Sequence, residues 1–160
     1  VTEAVGLGMM HGYHAAWGDF NNDGWVDLHE YKNIWRNDQG QFTLVAELKG
    51  TGIWGDYNND GRLDLHVTNM SSTAGNRILK RLFPDEATQF DDTRVLNKLA
   101  AGNSLFANLG DGKYKEVSGT AGPFPAGWSF GGGFVDFDND GWEDLHSPNG
   151  FISGKGLKDT

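Results

Sequence analysis

The sequence predicts an all-β chain of β-propeller blades, each of four antiparallel strands, with about three units and an incomplete ring. Three observations carry that expectation. An acidic loop recurs as "WGDFNNDGWVDLHE" (17–30), "WGDYNNDGRLDLHV" (54–67) and "FVDFDNDGWEDLHS" (134–147). Its first aspartates, Asp19, Asp56 and Asp136, lie 37 and 80 residues apart, about one and two units of roughly 40 residues, the length scale of a propeller blade. The residues after each loop alternate with period two, as in "WVDLHEYK", the mark of a half-buried strand. Twenty-four glycines and a 12% aromatic content suit short strands and tight turns better than long helices.

Each unit reads in the same order. An apolar stretch (His14–Trp17, Gly52–Trp54, Gly131–Val135) enters the acidic loop, and the alternating stretch follows it. A third run, "NIWRN" (33–37) or "SLFAN" (104–108), meets a turn, "NDQG" or "LGDG", whose Gly and Asn-Asp residues suit positive φ. A fourth run, "QFTLVAE" (41–47) or "KYKEVS" (113–118), closes the unit. The chain is expected to be a single repeat region over 1–160, with units of approximately 1–42, 43–116 and 117–160, the last lacking its third and fourth strands. Residues 70–102 interrupt the second unit. Ile78, Leu79 and Leu82, then Val95, Leu96 and Leu99, have helix-like spacing around a break at Pro84. One or two short helices are expected there, with a lid, a partner contact and plain decoration all open as roles.

Charge and composition narrow the function classes. A formal charge of −9 offers no basic face to neutralise phosphates, so nucleic acid is not an expected partner. The absence of cysteine excludes disulfides, thiolate zinc sites and cysteine nucleophiles. No apolar run approaches the roughly 20 residues of a membrane span. The opening "VTEAVGLG" has neither a charged n-region nor an apolar h-region, so no signal peptide is expected in it. The chain reads as a mature form or a piece of a longer polypeptide.

The loops themselves present oxygen. Side-chain oxygens fall at positions 1, 3, 5 and 9: Asp19, Asn21, Asp23 and Asp27; Asp56, Asn58, Asp60 and Asp64; Asp136, Asp138, Asp140 and Asp144. A glycine follows position 5 each time and allows a sharp turn, so that the carbonyl of position 7 (Trp25, Arg62, Trp142) can also point inward. Oxygen ligands without nitrogen or sulfur select a hard cation, and the irregular set favours Ca²⁺ over octahedral Mg²⁺. About three Ca²⁺ sites are expected, which would bring the formal charge from −9 to −3. A single such loop could be an ordinary polar turn. Three copies with the same fourth carboxylate argue otherwise, because uncompensated carboxylates would repel one another. An EF-hand is disfavoured: position 12 is Glu30 in the first loop but Val67 and Ser147 in the others, and the downstream period is two rather than 3.6. The interleaved Trp17, Phe20 and Leu28 are expected to pack between blades.

On the loops "GDFNNDGWVDLHE", "GDYNNDGRLDLHV" and "VDFDNDGWEDLHS", with "HAAW", "TGIW" and "FGGGF" before them, the chain resembles the FG-GAP/VCBS repeat family, whose calcium loops recur in integrin α-subunit propellers. "SLFANLGDGKYKEVSGTAG" and "SPNGFISG" are similar to bacterial proteins of the ASPIC/UnbV-associated type. The resemblance covers most of the chain except 70–102. It implies a β-propeller, typically of seven blades, with calcium in the strand-connecting loops. Three blades cannot close a ring, and a blade buries its faces against its neighbours. The expected partners are therefore further blades of the same polypeptide or other protein chains, with an oligomer or a filament as further forms.

Other motifs carry less. His29, His66 and His146 recur after Asp-Leu, and such identical strand positions pack against neighbouring blades more often than they bind metal. His11 and His14 form a pair without a third ligand nearby, "SFGGGF" (129–134) suits close blade packing, and Asn69-Met-Ser71 is an isolated sequon. No nucleophile stands beside a base in the sequence. The expected function is a non-catalytic, calcium-binding interaction or adhesion scaffold, secreted, on the cell surface or periplasmic. The alternatives are part of a catalytic propeller, such as a polysaccharide lyase or a subunit of a larger enzyme complex, and a structural filament-forming repeat.

Overall fold

The protein is described from a computed structural model, which defines residues 3–8, 14–69, 102–121, 129 and 131–148. It is built of antiparallel sheets. The first has the strand order β1 (Ala15–Gly18), β2 (Asp27–Glu30), β3 (Asn33–Asp38), β4 (Gln41–Glu47). The second repeats that order with β5 (Thr51–Gly55), β6 (Asp64–Thr68), β7 (Ser104–Asn108) and β8 (Tyr114–Glu116). A helical turn, α1 (Ser118–Ala121), follows β8, and a third, two-stranded sheet pairs β9 (Gly133–Val135) with β10 (Asp144–His146). All pairings are antiparallel. These are the expected all-β, incomplete blades. The apolar runs expected to form third and fourth strands coincide with β3, β4, β7 and β8, while the helical reading of 70–102 lies almost wholly outside the described residues.

Register explains how the acidic loops come to match. Trp17 pairs with Leu28 and Gly18 with Asp27. In the same way Trp54 pairs with Leu65 and Gly55 with Asp64, and Phe134 with Leu145 and Val135 with Asp144. Each loop is therefore the connection between the first two strands of a unit, closed at its base by the ninth-position aspartate.

Successive units pack face to face through their first strands, with β1 beside β5 and β5 beside β9. The core between the first two sheets joins Phe20 and Ile34 of one to Leu65, Val67 and Phe106 of the other. Phe20 stacks on Trp54, and Tyr114 completes the aromatic group. Trp54 also donates its Nε1–H to the carbonyl of Ala16 at 3.1 Å. Burial of such apolar surface contributes about 25 cal/mol per Å², so this seam adds cohesion between the first two units. The opposite face of the first sheet is covered differently. Leu7 lies on Leu28 and Trp35, with Val5 and Phe42 at the margin, and Phe42 N–H donates to the Val5 carbonyl at 2.8 Å.

Of the residues expected between blades, Phe20 is buried at the seam, Leu28 is buried on the opposite face of its sheet against Leu7 and Trp35, and Trp17 is 57% exposed. Trp17 occupies the position of Trp54, yet no preceding blade stands against it among the described residues; it makes an edge contact with Phe42 of its own sheet. Two of the three recurrent histidines, His29 and His66, pack on the next unit, as expected, whereas His146 is exposed and meets Phe137 of its own unit edge-on. The His29 ring meets Trp54 edge-on and the His66 ring meets Phe134 edge-on, both fully buried. Glycine makes these approaches fit: a Cβ at Gly52 would lie 2.3 Å from His29 Nδ1, and one at Gly55 2.2 Å from the Phe134 ring. Asn69, the sequon asparagine, is buried, and its N–H donates to Asn103 Oδ1.

Candidate metal centre

The three loops share one backbone design. The first aspartate accepts two backbone N–H groups, from positions 5 and 6. For Asp19 these come from Asp23 and Gly24 at 3.1 and 2.9 Å, for Asp56 from Asp60 and Gly61 at 3.0 and 2.8 Å, and for Asp136 from Asp140 and Gly141 at 3.1 and 2.9 Å. Asn21, Asn58 and Asp138 accept from the position-5 N–H, and Asp23, Asp60 and Asp140 accept from the N–H of Trp25, Arg62 and Trp142. The turn needs left-handed backbone at positions 4 and 6. Position 4 is Asn22, Asn59 and Asn139 (φ 57, 53 and 60°), and position 6 is glycine (φ 87, 82 and 90°). Asparagine and glycine are the residues that adopt this conformation at least cost.

The ninth-position aspartate closes each loop. Asp27 Oδ2 accepts from Phe20 N–H at 3.0 Å and Oδ1 from Asn37 N–H at 2.7 Å. Asp144 Oδ2 accepts from Phe137 N–H at 3.2 Å. Asp64 Oδ1 accepts from Asn108 N–H at 2.7 Å; Tyr57 N–H also faces the carboxylate, but too loosely to satisfy its buried Oδ2. Leaving a carboxylate oxygen buried and unpaired is costly, and a cation in the loop is a partner of the right chemistry. The third loop goes further. Oxygens of Asp136, Asp138 and Asp144 all lie within 4.8 Å of one another, and this cluster could hold a metal ion. In the first two loops position 3 is asparagine instead. Its amide donates to the position-5 carboxylate, from Asn21 to Asp23 at 2.8 Å and from Asn58 to Asp60 at 3.1 Å. The Arg62 guanidinium adds a 2.6 Å contact to Asp60 Oδ2.

Two further asparagines set the loops in place, and the sequence reading assigned them no role. Asn37 Nδ2 donates to the Val26 carbonyl and Oδ1 accepts from Gly40 N–H. Asn108 repeats this with the Leu63 carbonyl and Gly110 N–H, and also donates to the Phe20 carbonyl of the preceding unit at 2.8 Å. Their signal was present in "IWRN" and "LFAN", which end on the same residue at the same step of the third strand. The loops are also tied to one another. Asn22 Nδ2 donates to the Gly61 carbonyl at 2.7 Å, and Asn59 Nδ2 to the Gly141 carbonyl at 2.8 Å.

Without an ion the buried aspartates are poorly accommodated. Burial pushes Asp27 up to about 6, with Asp23 and Asp19 adding to it and the N–H groups of Asn37 and Phe20 opposing it. Burial likewise pushes Asp64 up to about 6, with Asp60 and Asp56 adding to it and the N–H groups of Asn108 and Tyr57 opposing it. Such groups stabilise the fold fully below the ordinary carboxylate range and lose that contribution as pH rises through about 6. The buried histidines act in the other direction. Burial pushes His66 down to about 4 and lowers His29, so their contribution is complete above about 6.5 and is lost as pH falls toward 4. Across this window the two pairs offset each other. In chelator, Tm of the wild-type chain is expected to change little between about pH 7 and pH 5, whereas Asp64→Asn exposes the histidine contribution and Tm falls on acidification. Equal pH profiles for the two proteins would show that Asp64 does not titrate in this window.

Comparison with family models, curated proteins and solved structures returns no match for this chain. No helix among the described residues is long and apolar enough to cross a membrane.

Proposed function

We propose that the protein is a calcium-stabilised interaction scaffold of the FG-GAP/VCBS type, acting outside the cell, at its surface or in the periplasm. The buried Asp64 Oδ2, which Tyr57 N–H faces but does not satisfy, carries the metal part of this reading. It sits on the same loop frame that gathers Asp136, Asp138 and Asp144 in the third unit. In each loop the side chains of positions 1, 3, 5 and 9 and the carbonyl of position 7 would hold the ion. An all-oxygen set of this kind suits Ca²⁺. When bound, the ion supplies positive charge where carboxylates meet. The loops are joined to each other and to the third strands by asparagine, so the ion acts on how units are held together rather than on a substrate. Supporting an interaction role are unit faces that carry exposed apolar side chains, Trp17 on the first and Phe137 on the last.

Calorimetric titration tests the reading. About three Ca²⁺ are expected per chain, and Asp136→Asn/Asp138→Asn is expected to remove one of them while leaving the other two. Absence of saturable Ca²⁺ binding by the wild-type chain would exclude it.

A further inference from the structure

We propose that the open face of the third unit seats a further blade that lies outside residues 1–160, and that this blade carries a small, non-aromatic residue two positions before its first loop aspartate. The proposal deepens the scaffold reading and rests on it for the nature of the partner. Its basis is an interface repeated within the molecule. At the first seam, blade two is received through four features of blade one. Gly18 lies against the Trp54 ring, where an added Cβ would come within 2.8 Å of it. Phe20 stacks on Trp54, His29 packs edge-on against it, and Asn22 donates to the carbonyl of Gly61. At the second seam Gly55 lies against the Phe134 ring, His66 packs on Phe134, and Asn59 donates to the carbonyl of Gly141.

The third unit presents the same groups with no further unit against them among the described residues; the Phe137 and His146 rings meet each other edge-on. Phe137, the counterpart of buried Phe20, is 64% exposed, and His146, the counterpart of His29 and His66, is exposed. Asn139 holds the same left-handed conformation as Asn22 and Asn59, but its side chain donates to no described residue. These groups repeat a receiving surface whose two other copies are each occupied by a blade, which makes a blade the fitting occupant.

One position differs. Where the first two units have Gly18 and Gly55, the third has Val135. The glycine hydrogens at those positions sit where a Cβ would collide with the incoming aromatic ring. A Val135 side chain fills that space, so Trp or Phe two positions before the loop is excluded from the occupant, and a small residue fits. This argues against a second copy of the chain. The leading face of its first unit would bring Trp17 onto Val135, and it is in part already covered by Leu7. Head-to-tail stacking of identical chains into a filament is disfavoured for the same reason.

The test extends the full chain after Thr160 with a repeat of its own residues 33–69 and 102–121 joined by a short Gly-Ser turn. That segment supplies a blade whose way of docking is known from the second unit. Three versions are compared in saturating calcium by hydrogen exchange of β9 and β10 and by Tm: the copied Trp54 kept, the copied Trp54→Ala, and the copied tryptophan kept with Val135→Gly in the receiving unit. Strong protection of β9 and β10, at least about tenfold slower exchange, is expected for the second and third versions and not for the first. Equal protection in the first and second would overturn the size rule, and no protection in any version would overturn the seat. Protection of the same strands in the unextended chain, with mass rising with concentration, would assign the face to a second copy and overturn the proposal. Failure of the calcium reading is separable, because it shows in the ion response of the unextended chain alone.

Discussion

Chelating calcium from the loaded protein is expected to lower Tm by at least about 10 °C, the largest single effect foreseen for this chain. At free ion about 100-fold above Kd, one site adds roughly 2.7 kcal/mol to the folded state. For a domain of this size each kcal/mol corresponds to about 2–4 °C, so two or three occupied loops exceed that shift. The direction follows from the loops. Asp27 and Asp64 are buried with acidic neighbours, and Asp64 Oδ2 is left under-satisfied by the Tyr57 N–H that faces it. A scanning calorimetry trace that is the same in calcium and in chelator would contradict the metal reading, whatever the fold.

Asn108→Ala is expected to cost about 3–5 kcal/mol, measured as the unfolding free energy in urea with calcium present. Its side chain bonds the Phe20 and Leu63 carbonyls and Gly110 N–H, and it is buried at the seam between the first two units. Truncation leaves those groups without partners, at about 1–3 kcal/mol for each that stays buried. Asn37→Ala is the internal control. Asn37 makes the corresponding bonds to Val26 and Gly40 within its own unit, is partly exposed, and reaches no neighbouring blade. Its loss is expected to cost about 1–2 kcal/mol. Equal costs for the two substitutions would mean that the bond across the seam contributes nothing.

Much of this architecture was legible because the chain repeats itself. Position-by-position agreement of the three loops identified the closing aspartates, the turn glycines and the strands on either side. Those features depend on local backbone conformation and on a period of two, and both are written in residue type. What depends on the neighbour was harder to see. Trp17 and Trp54 stand at the same place before their loops, yet Trp54 is packed against Phe20 whereas Trp17 is exposed, because among the described residues only Trp54 meets a preceding blade. Asn37 and Asn108 stood only as the last residues of the third runs, and their bonds to the loop carbonyls come from register between strands. Likewise Val135 in place of glycine reads as a neutral change until the ring that fills the glycine's place elsewhere is seen.

The asparagine links between loops all run one way, from Asn22 to Gly61 and from Asn59 to Gly141. Like stitches cast in a single direction, they leave a spare donor at one end of the row and a spare carbonyl at the other. Loss of the third unit opens the Asn59 stitch alone, and loss of the first opens the Asn22 stitch alone. Loss of the second opens both. The second unit is therefore the one on which both stitches depend, and a molecule that grips it would hold the whole row.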